Sequence, residues 1–244
     1  PPSRPAADAP VPPPLLTENM ELGGRTSSLD SHPQRAELDA RWRSRGVLFG
    51  SLDELISEHE GLLRPHLERR IVSPRADKFA ALHAAFWSGG TLLYVPRGVA
   101  VDQPLHILAA ISPRGVDFSR TLVVLEDDSE ATLVAETAGG DAAAASLHCG
   151  AIEIVVGPYA RLRYVNLQNW GTGAWHFAHQ KALVGREGRL QWTIGALGSR
   201  LAKVNQHVAL VGEGAEAQVN GVMFTEGKQH LSYHTLQHHQ APGC

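Results

Sequence analysis

The stretch Gly157-Pro158-Tyr159-Ala160-Arg161-Leu162-Arg163-Tyr164 determines the architecture of this 244-residue chain, because its pattern returns at a nearly constant interval. A Gly or Asp is followed three residues later by Ala or Gly, and then by a short alternating segment. The four copies begin 29, 28 and 27 residues apart. They are Asp128–Ala131–Thr132–Leu133–Val134, Gly157–Ala160–Arg161–Leu162–Arg163–Tyr164, Gly185–Gly188–Arg189–Leu190–Gln191–Trp192 and Gly212–Ala215–Glu216–Ala217–Gln218–Val219. A fixed period of roughly 20–50 residues is typical of stacked repeat folds, so the pattern predicts a β-solenoid.

Alternation inside the repeat predicts one buried and one hydrated face. Apolar Leu162 and Tyr164 alternate with Arg161 and Arg163, which is the period of a half-buried strand. We place the glycines that open each copy at the corners of the coils, where the backbone adopts a positive φ. The fold class is therefore mainly β.

Three regions follow from composition. Residues 1–30 are predicted to be a disordered Pro-rich tail, because residues 1–14 hold seven of the fifteen prolines and offer little apolar surface to bury. Residues 31–90 are predicted to be a small α-helical region. One helix begins at a capping box, Ser51 to Glu54, and another at Ser73-Pro74, with Phe86 facing inward. Residues 91–244 form the solenoid core. A solenoid needs a cap at each end, so we expect further chain beyond Cys244.

Charge and cysteine content exclude several classes of protein. The net charge of −3 and the pI near 6.5 argue against a nucleic-acid binder. Two cysteines do not make a disulfide framework, so we expect a reducing, cytoplasmic location. No apolar run approaches the roughly 18–20 residues that span a bilayer.

Ordered short motifs from about residue 47 to the C-terminal residue resemble the SufB/SufD family, the scaffold subunits of the Suf iron–sulfur cluster assembly machinery. They are Lys78–Leu82, Trp87–Val99, Phe118–Leu122, Ser146–His148, Gln168–Trp170, Gly198–Ser199, Gly212–Ala215, Gly227–His230 and His239–Pro242. The resemblance is closer to SufD than to SufB. It reads Ala135-Glu136-Thr137-Ala138-Gly139 where SufB-like chains have a Cys-containing segment, and its run from His230 to His239 is rich in histidine.

The resemblance implies a right-handed parallel β-helix in a non-catalytic scaffold subunit. It further implies a SufB-like partner subunit and a SufC-like ABC ATPase that binds a C-terminal helical region. The cluster-associated residues of the family are expected beyond Cys244. This part of the chain is therefore expected to bind no cofactor itself, while the full complex handles the cluster.

Five residues near the C-terminus are candidate metal ligands, because imidazole and thiolate together suit iron or zinc. They are His230, His234, His238, His239 and Cys244. The first three share sequence parity on a strand, and His239 faces the other side. Their spacing matches no tight tetrahedral pattern. The alternative is that these histidines hydrogen-bond across coils or line a partner interface.

Other chemistry-bearing residues favour structural roles. Cys149 follows His148, but adjacent strand residues face opposite sides, so we expect a buried core cysteine. Glu126, Asp127, Asp128 and Glu130 are expected to form a solvated corner, with a cation site as the alternative.

The segment from Gly221 to Lys228 does not fit a phosphate-binding loop. It has five residues between its glycines, and Gln229 follows the lysine. A P-loop has four residues there and then Ser or Thr, so we expect no ATP hydrolysis by this chain.

Other functions remain open from the residues alone. A metal-dependent, cupin-like β-barrel enzyme would use the late histidines. A carbohydrate-active β-helix would need a cluster of carboxylates, and a generic β-helix binding module would need no chemistry. For a scaffold, candidate partner contacts are Trp170, Trp175, Arg161, Arg163 and Arg189. Open strand edges favour association, so a homodimer of the isolated chain is also expected.

Overall fold

The computed structural model describes residues 11–139 and 144–244 and contains fifteen strands and four short helices within them. The N-terminal elements are β1 (Gly24–Leu29), β2 (His32–Leu38), α1 (Ala40–Arg43), β3 (Leu48–Ser51), α2 (Leu52–Glu58), α3 (Glu60–Glu68), α4 (Lys78–Phe86) and β4 (Gly89–Val95). The remaining strands are β5 (Leu105–Ile111), β6 (Val116–Asp117), β7 (Ser119–Leu125), β8 (Glu130–Gly139), β9 (Ser146–Val156), β10 (Arg161–Gln168), β11 (Ala174–Val184), β12 (Arg189–Ala196), β13 (Leu201–Leu210), β14 (Glu216–Met223) and β15 (His230–His239).

The strands form two sheets that face each other across one core. The first sheet has the order β14-β12-β10-β8-β5-β1-β2, and the second has the order β15-β13-β11-β9-β7-β4-β3. From β8 to β15 the chain alternates between the sheets. Strand β8 pairs in parallel with β5, and each later strand pairs in parallel with the strand two places earlier. This is a β-solenoid, as the repeat predicts.

Like residues of successive coils stack in register. Leu133, Tyr164, Trp192 and Val219 form one inward column across four strands of the first sheet. The first three are fully buried or nearly so, and the Tyr164 and Trp192 rings lie 5.4 Å apart. Stacking of this kind explains why the repeat is visible in the sequence.

The first copy of the repeat was placed two residues out of register. Arg161 pairs with Glu130 rather than with Thr132, so the corner equivalent to Gly157 is Glu126. The shift is even, so the inward and outward faces were still assigned correctly. No glycine occupies this corner, so the sequence pattern had no glycine from which to align the first copy.

The corner glycines are needed for space rather than for positive φ. The left-handed residue is the third of each corner: Asp128 (φ 57°), Tyr159 (φ 61°), Glu187 (φ 51°) and Gly214 (φ 66°). A Cβ on Gly212, by contrast, would lie 2.1 Å from the Arg186 amide nitrogen in the coil before. The prediction of positive φ at these glycines was wrong, because the close approach of stacked corners is what excludes a side chain.

The N-terminal third is less helical than predicted. Within the predicted tail, residues 1–10 lie outside the described residues, but residues 24–29 form β1, which pairs in parallel with β5. The predicted helical region also contains β2, β3 and the start of β4. Strands β1 and β3 have sheet partners far along the chain, such as Gly24 with Leu105 and Leu48 with Tyr94, so no local periodicity signals them. Strand β2 instead forms a hairpin with β1.

Two of the helices correct or confirm particular expectations. Ser51 caps α2, accepting a hydrogen bond from the Glu54 amide at 3.5 Å, which is the serine half of the predicted capping box. The second helix, α4, begins at Lys78 behind the cap Asp77 rather than at Ser73-Pro74. Phe86 is 60% exposed rather than inward-facing. The helix packs against the outer face of β9 and β11, with the Phe79 and Phe177 rings stacked at 3.8 Å.

Candidate functional site

The five candidate metal ligands do not converge on one point. Strand β15 is the last strand of the second sheet, and its His230, His234 and His238 point outward and are exposed. His239 has the parity of the core residue Tyr233 and pairs with buried Leu210. Within residues 11–139 and 144–244, no three His, Cys, Asp or Glu side chains are grouped closely enough to hold a metal ion.

His239 and Cys244 are the two candidates that the structure brings together. Nδ1 of His239 lies 3.7 Å from Sγ of Cys244 and 2.7 Å from its carbonyl oxygen. The turn that follows β15 makes this possible, because the Gln240 amide donates to the Leu210 carbonyl and Cys244 Sγ donates to the Ala241 carbonyl at 2.8 Å. The pair borders an open cavity of about 730 Å³ whose lining extends across β8, β10, β12 and β14 of the first sheet.

A second imidazole pair was not anticipated from the sequence. His207 of β13 and His238 of β15 stack with their ring centres 5.9 Å apart. Burial, with Lys181 and His238 nearby, lowers the pKa of His207 and keeps its ring neutral. Gln240 contacts Nδ1 of His238 at 2.9 Å. This arrangement fits the structural interpretation, in which histidines contact each other across coils.

The interior of the solenoid holds a polar group that sequence reasoning missed. His148 and His176 occupy the same inward register position on β9 and β11, with ring centres 4.8 Å apart. Nδ1 of His148 lies 2.8 Å from Oδ1 of fully buried Asp117. A shared position 28 residues apart in the repeat was the signal that could have identified the histidine pair.

Burial controls the charge of this interior group. Desolvation lowers the pKa of His176 well below its ordinary value, and the neighbouring His148 acts in the same direction. Burial alone would raise the pKa of Asp117, but the hydrogen bond and charge of His148, together with Ser119, hold it below its ordinary value. Asp117 is therefore a carboxylate that fixes the orientation of the His148 ring.

Several interior polar atoms have no partner among the described residues. They are Nδ1 of His176, Oε1 of Gln180, both amide atoms of Gln206, and the indole nitrogens of Trp170 and Trp192. His176, Gln180 and Trp170 border a partly open cavity of about 50 Å³. Donors and acceptors are mixed around it, so it suits small polar molecules such as water rather than an ion of one sign.

The outer faces of the sheets carry two buried carboxylates with specific partners. Glu153 accepts hydrogen bonds from the Val72 amide at 2.7 Å and from the Arg120 guanidinium. Glu136 accepts from the amides of Leu15 and Leu16 and contacts His106 at 3.0 Å. Both carboxylates are 2% exposed, and both attach N-terminal segments to the solenoid.

Two further sequence expectations concern Cys149 and the acidic corner. Cys149 is buried and donates to the Phe79 carbonyl, and burial raises the pKa of its thiol to about 11. It is a core residue, as predicted, and it faces away from His148. The acidic corner has two basic side chains nearby: Glu126 lies 3.5 Å from the imidazole of His66, whose pKa is lowered by burial, and Asp128 lies 3.9 Å from the guanidinium of Arg97.

The predicted partner contacts are only partly available on the surface. Trp170 is 1% exposed, so it is not a surface residue and the expectation for it was wrong. Its aromatic ring packs against His148 in the interior. Trp175 is 40% exposed. Arg161, Arg163 and Arg189 lie on the outer face of the first sheet, where Arg189 pairs with Glu216.

Two family descriptions match almost the whole of this architecture. The SufBD protein N-terminal region matches residues 30–107, and the SufBD core domain of the SUF iron–sulfur cluster assembly system matches residues 107–244. The chain belongs to the SufBD family. The boundary between the two matches falls in β5, where the continuous solenoid begins.

Curated relatives carry the same family name. Proteins described as iron–sulfur cluster assembly SufBD family proteins are 30% identical in Staphylococcus epidermidis and in Staphylococcus haemolyticus, and 29% identical in Staphylococcus saprophyticus. Each alignment covers 227 residues, which is 92% of this chain and 48% of the relative. The chain spans about half the length of the curated relatives it matches. No helix among its described residues is both long and apolar enough to cross a membrane.

Proposed function

We propose that this SufBD chain is a non-catalytic, SufD-like scaffold subunit for iron–sulfur cluster assembly. The observation that carries the proposal is the family match, which runs from residue 30 to residue 244 over a continuous solenoid. A solenoid presents long outer surfaces on fixed strands. Its regular geometry suits the binding of partners rather than the enclosure of a substrate.

The proposed partners are a SufB-like subunit and a SufC-like ABC ATPase. The segment from Gly221 to Lys228 lacks the spacing and the hydroxyl residue of a P-loop, so we assign ATP hydrolysis to the partner ATPase. We likewise assign the cluster to the assembled complex rather than to this chain alone. Both cysteines are free, in keeping with a reducing cytoplasm.

Exposed apolar residues on the last coil mark an association surface. Val222, Met223 and Phe224 are 49%, 52% and 66% exposed, and they lie at the end of β14, the edge strand of the first sheet. Unpaired strand edges and apolar side chains together favour the addition of another chain. In the absence of its partner, we expect the chain to use this surface to form a homodimer.

Co-expression with tagged partners tests the assignment. The chain is produced with a tagged SufB-like subunit and a SufC-like ATPase from one genome, and the complex is purified without oxygen. We expect this chain to co-purify with the tagged partner in a defined ratio. A Trp175→Ala variant alters an exposed residue of the second sheet and shows whether that face contacts the partner. A chain that never co-purifies with either partner contradicts the proposal.

A cupin-like enzyme is not supported by the fold. Cupins close antiparallel strands into a barrel with ligands around one mouth. Here the strands from β7 to β15 pair in parallel in two open sheets. The exposed histidines of β15 point to the opposite side of the sheet from His239, so they do not surround one mouth.

A further inference from the structure

His239 and Cys244 stand apart from the other candidate ligands because their donor atoms are close and accessible. The Nδ1 and Sγ atoms are 3.7 Å apart. In a tetrahedral zinc site with ordinary Zn–N and Zn–S bond lengths, the two donor atoms lie about 3.5 Å apart. The two side chains are therefore almost at chelating distance before any ligand is bound.

The positions of both residues follow from the backbone. His239 ends β15 opposite Leu210, and the Gln240 amide continues the ladder by donating to the Leu210 carbonyl at 2.9 Å. The chain then turns back, and Cys244 packs half-buried against the core. The chelate therefore rests on a regular strand and a single turn.

Room for further ligands lies beside the pair. The cavity of about 730 Å³ that His239 and Cys244 border is also lined by Glu216 and Glu130 and, on the outer face of the first sheet, by Arg161, Arg163 and Arg189. No third His, Cys, Asp or Glu completes the group within the described residues, so water or an added ligand would fill the remaining positions. Open positions of this kind distinguish exchangeable metal sites from closed structural ones.

We propose that His239 and Cys244 form an open, two-residue binding site for a borderline-soft divalent transition-metal ion of the zinc class. Nitrogen and thiolate sulfur select such ions over magnesium or calcium. Binding releases the thiol proton to solvent, and the imidazole proton moves from Nδ1 to Nε2 so that Nδ1 coordinates the ion. The hydrogen bond from Nδ1 to the Cys244 carbonyl is lost in that step.

The outward histidines of β15 are not part of the site: His238 stacks on His207, and His234 contacts Ser232 at 3.3 Å. Cys149 is not part of it either, because it is buried under α4 and has a raised thiol pKa.

Cobalt titration tests the site directly. Co²⁺ is added to the reduced chain without oxygen, and the near-ultraviolet charge-transfer band of a cobalt–thiolate bond is followed. We expect one equivalent of Co²⁺ to produce the band, Zn²⁺ to displace it, and Cys244→Ser to abolish it. His239→Gln should weaken binding at least about 10-fold, since even losses outside the ligand set cost that much.

Two variants serve as matched controls. Cys149→Ser removes the other cysteine, and His230→Gln removes an exposed histidine of the same strand; both should retain the band and the affinity. Circular dichroism confirms that each variant is folded. The proposal is overturned if the native chain shows no cobalt–thiolate band, if the band survives Cys244→Ser, or if His239→Gln binds Co²⁺ as tightly as the native chain.

Discussion

Several histidines buried beneath helices and between the sheets are neutral in the folded chain. Their protonation in acid should therefore lower the stability of the fold. His83 on α4 is 7% exposed, and its Nε2 lies 3.1 Å from the Ser119 carbonyl oxygen, to which it donates. Burial lowers its pKa from 6.5 to about 4, although the hydrogen bond to Ser119 partly opposes the shift. Burial also lowers the pKa values of His66, His106 and His176.

The free energy of unfolding should therefore fall as the solution is acidified. Between pH 6.5 and about 4, the unfolded chain binds a proton on His83 that the folded chain does not. The stability due to neutral His83 is fully present above pH 6.5 and is lost as the pH falls, by about 3 kcal/mol over the whole interval. Urea denaturation at several pH values measures this loss.

His83→Gln provides the comparison for that experiment. Glutamine can still donate to the Ser119 carbonyl but does not titrate, so the variant should lose about 3 kcal/mol less than the native chain over the same interval. The other buried histidines remain in both proteins. Equal pH dependence of the two proteins would show that His83 is not held neutral by the fold.

At the scale of elements, α4 illustrates how one side chain sets a helix boundary. Asp77 accepts hydrogen bonds from the amides of Phe79 at 2.8 Å and Ala80 at 2.9 Å, and it lies 3.2 Å from Nε2 of His179 on β11. It therefore caps the helix and attaches it to the second sheet. The Ser73-Pro74 pair resembled a helix start, but the capping side chain comes four residues later.

Removal of this cap should destabilise the chain measurably. Asp77→Ala leaves two amides without an acceptor and is expected to cost about 1–2 kcal/mol of unfolding free energy. Asp77→Asn retains the acceptor oxygen and should lose less unfolding free energy than Asp77→Ala. The difference in stability between the native chain and Asp77→Asn reports the contact with His179. Urea denaturation at pH 7 measures both. Asn and Ala variants of equal stability would contradict the assignment of Asp77 as the cap.

The stacked aromatic column gives a second prediction at this scale. Trp192 is fully buried beside Tyr164, whereas Trp175 is 40% exposed on the second sheet. Trp192→Ala should cost about 3–5 kcal/mol through the cavity it leaves. Trp175→Ala, the same substitution on the surface, should cost less than about 1 kcal/mol. Similar losses of unfolding free energy in the two variants would mean that the aromatic column contributes little to the stability of the core.

At the scale of the whole molecule, the repeat made the solenoid predictable from the sequence. Strand pairings between residues far apart in the chain were not predictable in this way. Gly157, Gly185 and Gly212 gave the correct register for three coils, since their spacing reflects stacked corners. The first coil has Glu126 at that place and was misaligned. Strand β1 was missed because its partner β5 lies some 80 residues away and because the turn to its other partner, β2, is made by Asp30 and Ser31 without a glycine.

The candidate site was predictable only in part, for related reasons. Strand parity separated His239 from His230, His234 and His238 correctly, but only the turn after β15 brings Cys244 to His239. The pair of His148 and His176 was visible as a repeat position and was overlooked. Its partner Asp117 lies in the short strand β6, which has no period of its own.

At the scale of the whole chain, the proposed self-association through the exposed residues after β14 can be tested directly. Phe224 there and Phe86 on α4 are 66% and 60% exposed, so they differ in location rather than in exposure. Sedimentation velocity at micromolar concentrations should show a dimer that Phe224→Ser dissociates and Phe86→Ser leaves intact. A native monomer, or a dimer that dissociates only with Phe86→Ser, would contradict association through the end of the solenoid.

The scaffold assignment is tested most directly by counting iron and sulfide in the purified complex. The complex is assembled without oxygen from a SufB-like subunit and a SufC-like ATPase, with and without this chain. We predict that iron and sulfide per complex fall severalfold when this chain is omitted and recover when it is added back. Equal cluster content with and without it would contradict its role as a scaffold subunit.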